Sequence, residues 1–283
     1  MRNQTKPHPG VTINRLHPVC NGLVHCFLFN KGDMNGHIVD VAGSDRIGAL
    51  TGVTAGSEFA AGQWGKTALD VSGSVQYMEI QDAALNVWHP LKESKGYGVA
   101  WWEYILTSGV TDPSRVMLKI DDGGSDGLKI YRGSSLSIAW GEEAGSVRYK
   151  AASAPSIANS VNIWRHFVVT GRGPTVTGST KFHDCFVDGR QYATGSDAVS
   201  VGVSQFQNRL GDNTNNGESD CYFDVFMVWQ RRLTVTDAKV LYRQPFSIFN
   251  RTAKLGSVLS EATDDVGPRY RGRHAPAEDG LGA

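Results

Sequence analysis

Oxygen-bearing side chains crowd two short stretches of the sequence, Asp121, Asp122 and Asp126, and the run from Asp212 to Asp220. These are the places where a hard cation could be held. In the second stretch Asp212, Asn213, Asn215, Asn216, Glu218 and Asp220 set oxygen atoms at close intervals, with Gly217 available for a turn. The pattern stops short of a full calcium loop, because Phe223 stands where the closing Glu would be needed. Asp212, Asn216, Glu218 and Asp220 are therefore the candidate Ca2+ ligands, and no other cofactor is implied. Turn formation and capping explain the same Asp and Asn residues without a metal.

Catalytic groups are harder to assemble. Retaining glycoside hydrolysis needs two carboxylates about 5–5.5 Å apart across a sugar ring, which on a strand means acids at alternate positions. Glu79-Ile80-Gln81-Asp82 has the wrong spacing, and Glu218-Ser219-Asp220 runs on into Tyr222 and Phe223 where a further acid would be required. No Gly-x-x-x-x-Gly-Lys-Ser/Thr phosphate loop is present. His166 could serve as a base, but a lone His beside Trp164 on an apolar strand reads better as a packed core residue. Cys20, Cys26, Cys185 and Cys221 lack Cys-x-x-Cys spacing, which argues against zinc. They read as reduced thiols packed as small hydrophobes, with no disulfide. The expectation is a protein that is not an enzyme.

Binding chemistry has stronger carriers. Trp101, Trp102 and Tyr104 lie within four consecutive residues, so alternation places large rings on both faces of one strand. Stacking of a sugar on these rings, with Asp212, Asn213 and Asn215 as polar partners, is one use for them; packing is the other. The run from Tyr222 to Trp229 behaves alike, with Phe223, Val225, Met227 and Trp229 on one face and Tyr222, Phe226 and Val228 on the other. A sheet wetted on one side should alternate with polar residues. Both faces must then be covered, by a helix, by terminal arms or by a neighbouring subunit.

The elements that would position these groups are mostly strands. Apolar runs at 23–29, 67–71, 76–80, 97–106, 115–120, 128–132, 136–140, 163–170, 181–187, 206–210 and 222–229 are separated by Gly, Asn, Asp and Ser. Asp188-Gly189 is a two-residue hairpin signal. A single helix is expected after Thr234, with Val235, Ala238, Val240 and Leu241 at helical spacing and Pro245 as its stop. Residues 1–22 are rich in Pro and poor in large apolar side chains, and 250–283 are polar and mixed in charge. The domain reading is an extended arm 1–22, a sandwich 23–249 and a polar tail 250–283, with arm and tail ordering only against neighbouring subunits. With 28 basic and 28 acidic residues the formal charge is zero, which disfavours nucleic acid or an anionic membrane as partner. No apolar run approaches the ~20 residues of a membrane span. The first ten residues are not followed by an apolar stretch of signal-peptide length, so synthesis in a cytosol is expected.

Three clusters occur in a fixed order: His17-Pro18 with Gly22-Leu23-Val24 and Leu50-Thr51-Gly52; Trp164-Arg165-His166-Phe167 with Phe186-Val187-Asp188-Gly189; and Leu210-Gly211-Asp212 with Phe223-Asp224-Val225 through Arg231-Arg232-Leu233-Thr234. Together they span residues 17–246 and resemble the laminin-G-like, concanavalin A-like lectin and glucanase domains. The resemblance implies an all-β jelly-roll sandwich with one short C-terminal helix. Cys221 departs from it, since Gly is usual before the last strand, which puts the bulge geometry there in question. The arm, the His-Pro step and the trailing Pro245, Phe246 and Phe249 resemble virion proteins of tailed phages. That implies a capsid decoration or tail-associated module, located in the virion and made in the host cytoplasm, whose partners are other virion proteins or further copies of itself. The alternative reading is a carbohydrate-binding or host-receptor recognition module with a surface glycan as partner.

Overall fold

The structure, a computed structural model, describes residues 5–7, 10–30, 37–43, 47–52, 58–65, 67–72, 76–81, 96–106, 115–121, 127–132, 138–144, 147–148, 152–153, 161–171, 181–197, 207–211 and 221–250. Residues 1–250 form one compact unit. The strands are β1 (Leu23–Phe27), β2 (His37–Val39), β3 (Ile47–Thr51), β4 (Phe59–Ala61), β5 (Thr67–Asp70), β6 (Tyr77–Gln81), β7 (Tyr97–Ile105), β8 (Arg115–Asp121), β9 (Gly127–Arg132), β10 (Ile138–Ala144), β11 (Val147–Arg148), β12 (Ala152–Ser153), β13 (Trp164–Gly171), β14 (Lys181–Val187), β15 (Arg190–Asp197), β16 (Gln207–Leu210) and β17 (Cys221–Trp229). One α-helix, α1 (Val235–Arg243), follows.

The strands build two antiparallel sheets. One has eight strands in the order β15-β14-β13-β7-β17-β5-β4, with β1 also on β17; the other has nine, β11-β10-β9-β8-β16-β6-β3-β2, with β12 also on β10. The chain is thus an all-β sandwich with one short helix. Every strand run expected from the sequence is present. The short β2, β3, β4, β11 and β12 and the hydrophilic β15 were not expected, because each has too few apolar residues to show a period.

Alternation along β7 explains the two cores. Tyr97, Val99 and Trp101 point between the sheets, where they meet Phe27, Leu69, Phe167, Phe223 and Phe226. Ala100 and Trp102 point outward, into a second layer with Val168, Met227 and Trp229. That layer is roofed by Leu233, by Ala238 and Leu241 of α1, and by Ile13, Val19, Ile248 and Phe249. Covering of both faces therefore comes from within the chain.

Two local features depart from the sequence reading. In β17 the register with β7 slips between Asp224 and Phe226, and Val225 adopts φ +53°, a conformation costly for a β-branched residue. This bulge reverses the alternation. Phe223, Phe226 and Val228 all face the inter-sheet core, while Val225, Met227 and Trp229 face outward. Strict alternation had placed Phe223 with the outward set. The bulge is at Val225, four residues after the Cys221 position that had raised the question.

The other departure is at the N-terminus. Residues 10–22 are not an arm that needs a neighbour for order. Ile13 bridges Phe249, Asn14 N–H donates to the Ile248 carbonyl at 2.8 Å, and Trp229 Nε1–H donates to the Val19 carbonyl at 2.7 Å. A few apolar side chains suffice because they complete a layer the sandwich already supplies. Residues 251–283 lie outside the described residues.

Two signals read from sequence appear as drawn. Asp188 (φ +51°) and Gly189 (φ +74°) form the two-residue hairpin joining β14 to β15, with Val187 opposite Arg190. Thr234 caps α1 in a reciprocal capping box with Asp237, and Arg231 bonds the same carboxylate at 2.9 Å. Within α1 Ala238 and Leu241 are buried, whereas Val235 is 42% exposed.

Candidate functional site

Among the described residues the roof over the outward face stops one residue pair short of the sheet's end. Trp102 and Asp224 are opposite each other and buried beneath it. The next row is only half-buried. There Tyr104 of β7 is paired with Trp164 of β13 on one side and Tyr222 of β17 on the other. Tyr222 in turn is paired with Asp70 of β5. Leu69 and Val71 face the inter-sheet core, as do Cys221 and Phe223, so Asp70 and Tyr222 both point outward. Strand pairing thus lines up Asp70, Tyr222, Tyr104 and Trp164 across four strands on one face.

The rings touch as cross-strand neighbours should. Tyr104 and Tyr222 are 5.8 Å apart and nearly parallel at 11°, and Tyr104 and Trp164 are 5.5 Å apart at 52°. At the acidic end Asp70 Oδ1 accepts from Ser72 N–H at 2.9 Å and from its hydroxyl at 2.6 Å. Asp70 N–H donates to the Glu58 carbonyl at 2.9 Å, which puts a second acidic residue next to the row. A partly exposed strip of three rings ending in a fixed carboxylate can stack an apolar ligand face and accept its hydroxyl protons.

Directly behind the row lies a buried charge pair. Lys6 Nζ donates to Asp224 Oδ1 and to the Thr67 carbonyl, the latter at 2.7 Å, and Gln63 N–H donates to Asp224 Oδ2 at 3.0 Å. Burial pushes the Asp224 carboxyl up to about 6 against the pull of Lys6 and the backbone donors.

Among the residues singled out from sequence, Tyr104 alone of the aromatic group is partly exposed. Trp101 and Trp102 are each 2% exposed. Trp101 stacks on Phe167 at 5.4 Å between the sheets, and Trp102 lies in the outer layer against Trp64, His166 and Tyr242. Packing accounts for both. His166 is buried in that layer, and burial drives its imidazole down to about 3, so it is a neutral core residue and not a base. All four cysteines are free and buried. The candidate Ca2+ and polar ligands Asp212, Asn213, Asn215, Asn216, Glu218 and Asp220, with Asp122 and Asp126, lie outside the described residues. Among the described residues no cluster of three metal-ligating side chains occurs.

Gly123-Gly124-Ser125-Asp126-Gly127 has the Gly-x-Ser-x-Gly spelling of a nucleophile elbow, and residues 122–126, between β8 and β9, lie outside the described residues. Sequence reasoning missed Asp70, Trp164 and Tyr222 as site residues. Each was placed near or within an expected strand, yet only inter-strand register brings them together.

No protein-family model and no curated protein matches the chain. Solved structures do. The receptor binding domain of botulinum neurotoxin C/D mosaic serotype superposes with TM-score 0.60 at 14% identity over 78% of this chain and 51% of that one. The receptor binding domain of botulinum neurotoxin D gives 0.60 at 14% over 80% and 54%. The serotype D ligand binding domain in complex with N-acetylneuraminic acid gives 0.58 at 13% over 78% and 50%. The chain spans about half the length of these structures. At such identity the likeness is one of fold: a β-rich architecture that this chain shares with receptor-binding domains.

Proposed function

We propose that this chain is a non-catalytic recognition module that receives a sugar ring of a surface glycan on the row Trp164, Tyr104 and Tyr222. The observation that carries the reading is the row itself: three half-buried rings in register on the outward face, beyond the roof that the described residues form, with Asp70 at its end. A cluster of large rings left partly exposed at a sheet surface marks a place for a ligand. The kinship of fold with a domain solved in complex with N-acetylneuraminic acid supports the same class.

The virion-assembly alternative holds neighbours through sheet faces and terminal arms, and residues 10–22 pack against their own domain. A place in a phage particle is carried only by the sequence resemblance.

The test is a screen of immobilised glycans covering neutral, sialylated, sulfated and amine-bearing classes, with wild type and Tyr104→Ala. Binding of at least one class, weakened about tenfold or more in the variant at unchanged melting temperature, is expected. Absence of binding to every class, or equal binding by the variant, refutes the reading.

A further inference from the structure

We infer that the aromatic row selects uncharged sugars and rejects those bearing a carboxylate, with Asp70 as the residue that decides. This rests on the recognition reading above and names the ligand class of that site. Among the described residues the row contains two tyrosines, a tryptophan and an aspartate, and no cation, with the Glu58 backbone bonded to Asp70 at its end. Lys6, one row behind, is buried and bonded to Asp224. Arg165 of β13 is bonded to Asp188 at 2.5 Å, on the turn to β15. An anionic sugar laid on the rings would thus bring its carboxylate toward that of Asp70, with no cation among the described residues of the row.

A neutral pyranose meets the opposite situation. Its C–H face fits the rings, and its hydroxyls are donors that a carboxylate accepts. Asp70 is held for this purpose. Both Ser72 donors fix Oδ1, and Oδ2 receives no hydrogen bond among the described residues. A carboxylate fixed on one oxygen and open on the other can take a hydroxyl with little loss of side-chain freedom. The preference is therefore opposite in charge to the N-acetylneuraminic acid found with the serotype D neurotoxin domain.

The experiment measures binding of the full chain to matched pairs of immobilised oligosaccharides, each a neutral glycan and its sialylated counterpart. The neutral member should bind about tenfold or more tightly, and the ratio should narrow as salt is raised from about 20 to about 500 mM, since exposed charges are screened within about 3–4 Å at the upper end. Asp70→Asn should weaken the neutral member by about tenfold to a hundredfold and shrink the discrimination, because a charge-assisted acceptor and the repelling charge are lost together. Ser72→Ala, which removes one of the two donors holding Asp70 and leaves the backbone N–H, should give a smaller loss of the same kind. Equal or tighter binding of the sialylated members, or a ratio that neither salt nor Asp70→Asn alters, overturns this inference and leaves glycan recognition standing. Binding to no member of any pair overturns the recognition reading, and this inference with it.

Discussion

Replacing Lys6 with Met should uncouple the N-terminal segment from the sandwich at a cost set by the charge it leaves behind. Lys6 is 1% exposed and Asp224 0%, so the ammonium and carboxylate satisfy each other where water does not reach. Lys6→Met keeps the length of the side chain and removes the charge. Asp224 is then a buried carboxylate with only backbone N–H donors, and breaking such a pair costs about 3–5 kcal/mol. For a unit of this size that corresponds to a melting temperature about 6–20 °C lower. The loss must depend on pH. Burial already raises the Asp224 carboxyl from 3.8 to about 6 with Lys6 in place, and removal of Lys6 raises it further. A carboxyl whose folded value exceeds its unfolded one contributes stability that is full below 3.8 and is lost as pH rises through the folded value. Lys6→Met should therefore be near wild type at pH 5 and worst at pH 8. Thermal melts followed by circular dichroism across that range read the effect. Asp224→Asn strands the ammonium and should also destabilise, while the double variant should recover much of the loss. A Lys6→Met protein within about 1 kcal/mol of wild type at pH 8, or one whose deficit is the same at every pH, would refute the reasoning.

Gly98→Ala should destabilise by about 1–3 kcal/mol, because an added Cβ would sit 2.5 Å from Leu233 Cγ and 3.1 Å from the Arg231 carbonyl where the C-terminal segment docks. Faster proteolysis of residues 231–250 would accompany the loss. A thiol reagent at pH 8 should label none of the four cysteines in the native protein and all four after unfolding, since all four are buried and burial lifts Cys20 to about 11, Cys185 to about 12 and Cys26 well above its ordinary value. Rapid native labelling would contradict the packing. The His166 imidazole should show no titration between pH 5 and 8 by NMR, because burial holds it near 3. Deletion of residues 1–22 should lower stability and bare the layer around Trp229, seen as dye binding to exposed apolar surface; an unchanged melt would restore the view of this segment as an independent arm.

The sequence by itself determined the class of fold. Strand-length apolar runs, Asp188-Gly189 as a hairpin and Thr234 as a helix cap are local events, fixed within a few residues by side-chain alternation, positive φ and backbone capping. The double-sided apolar character of 97–105 and 221–229 also required a covered outer face from sequence alone. What covered it did not follow, since a roof made of residues 10–22 and 231–249 depends on partners some two hundred residues apart. The bulge at Val225 was equally hidden: one extra residue in a strand changes no residue type, yet it reverses which rings face the core. The site was lost for the same reason. Tyr104 stood out in the sequence, but Asp70, Trp164 and Tyr222 are unremarkable in their own strands, and only antiparallel register sets all four side by side at the edge of the roof. Local chemistry chose the elements; long-range pairing decided which side chains became neighbours.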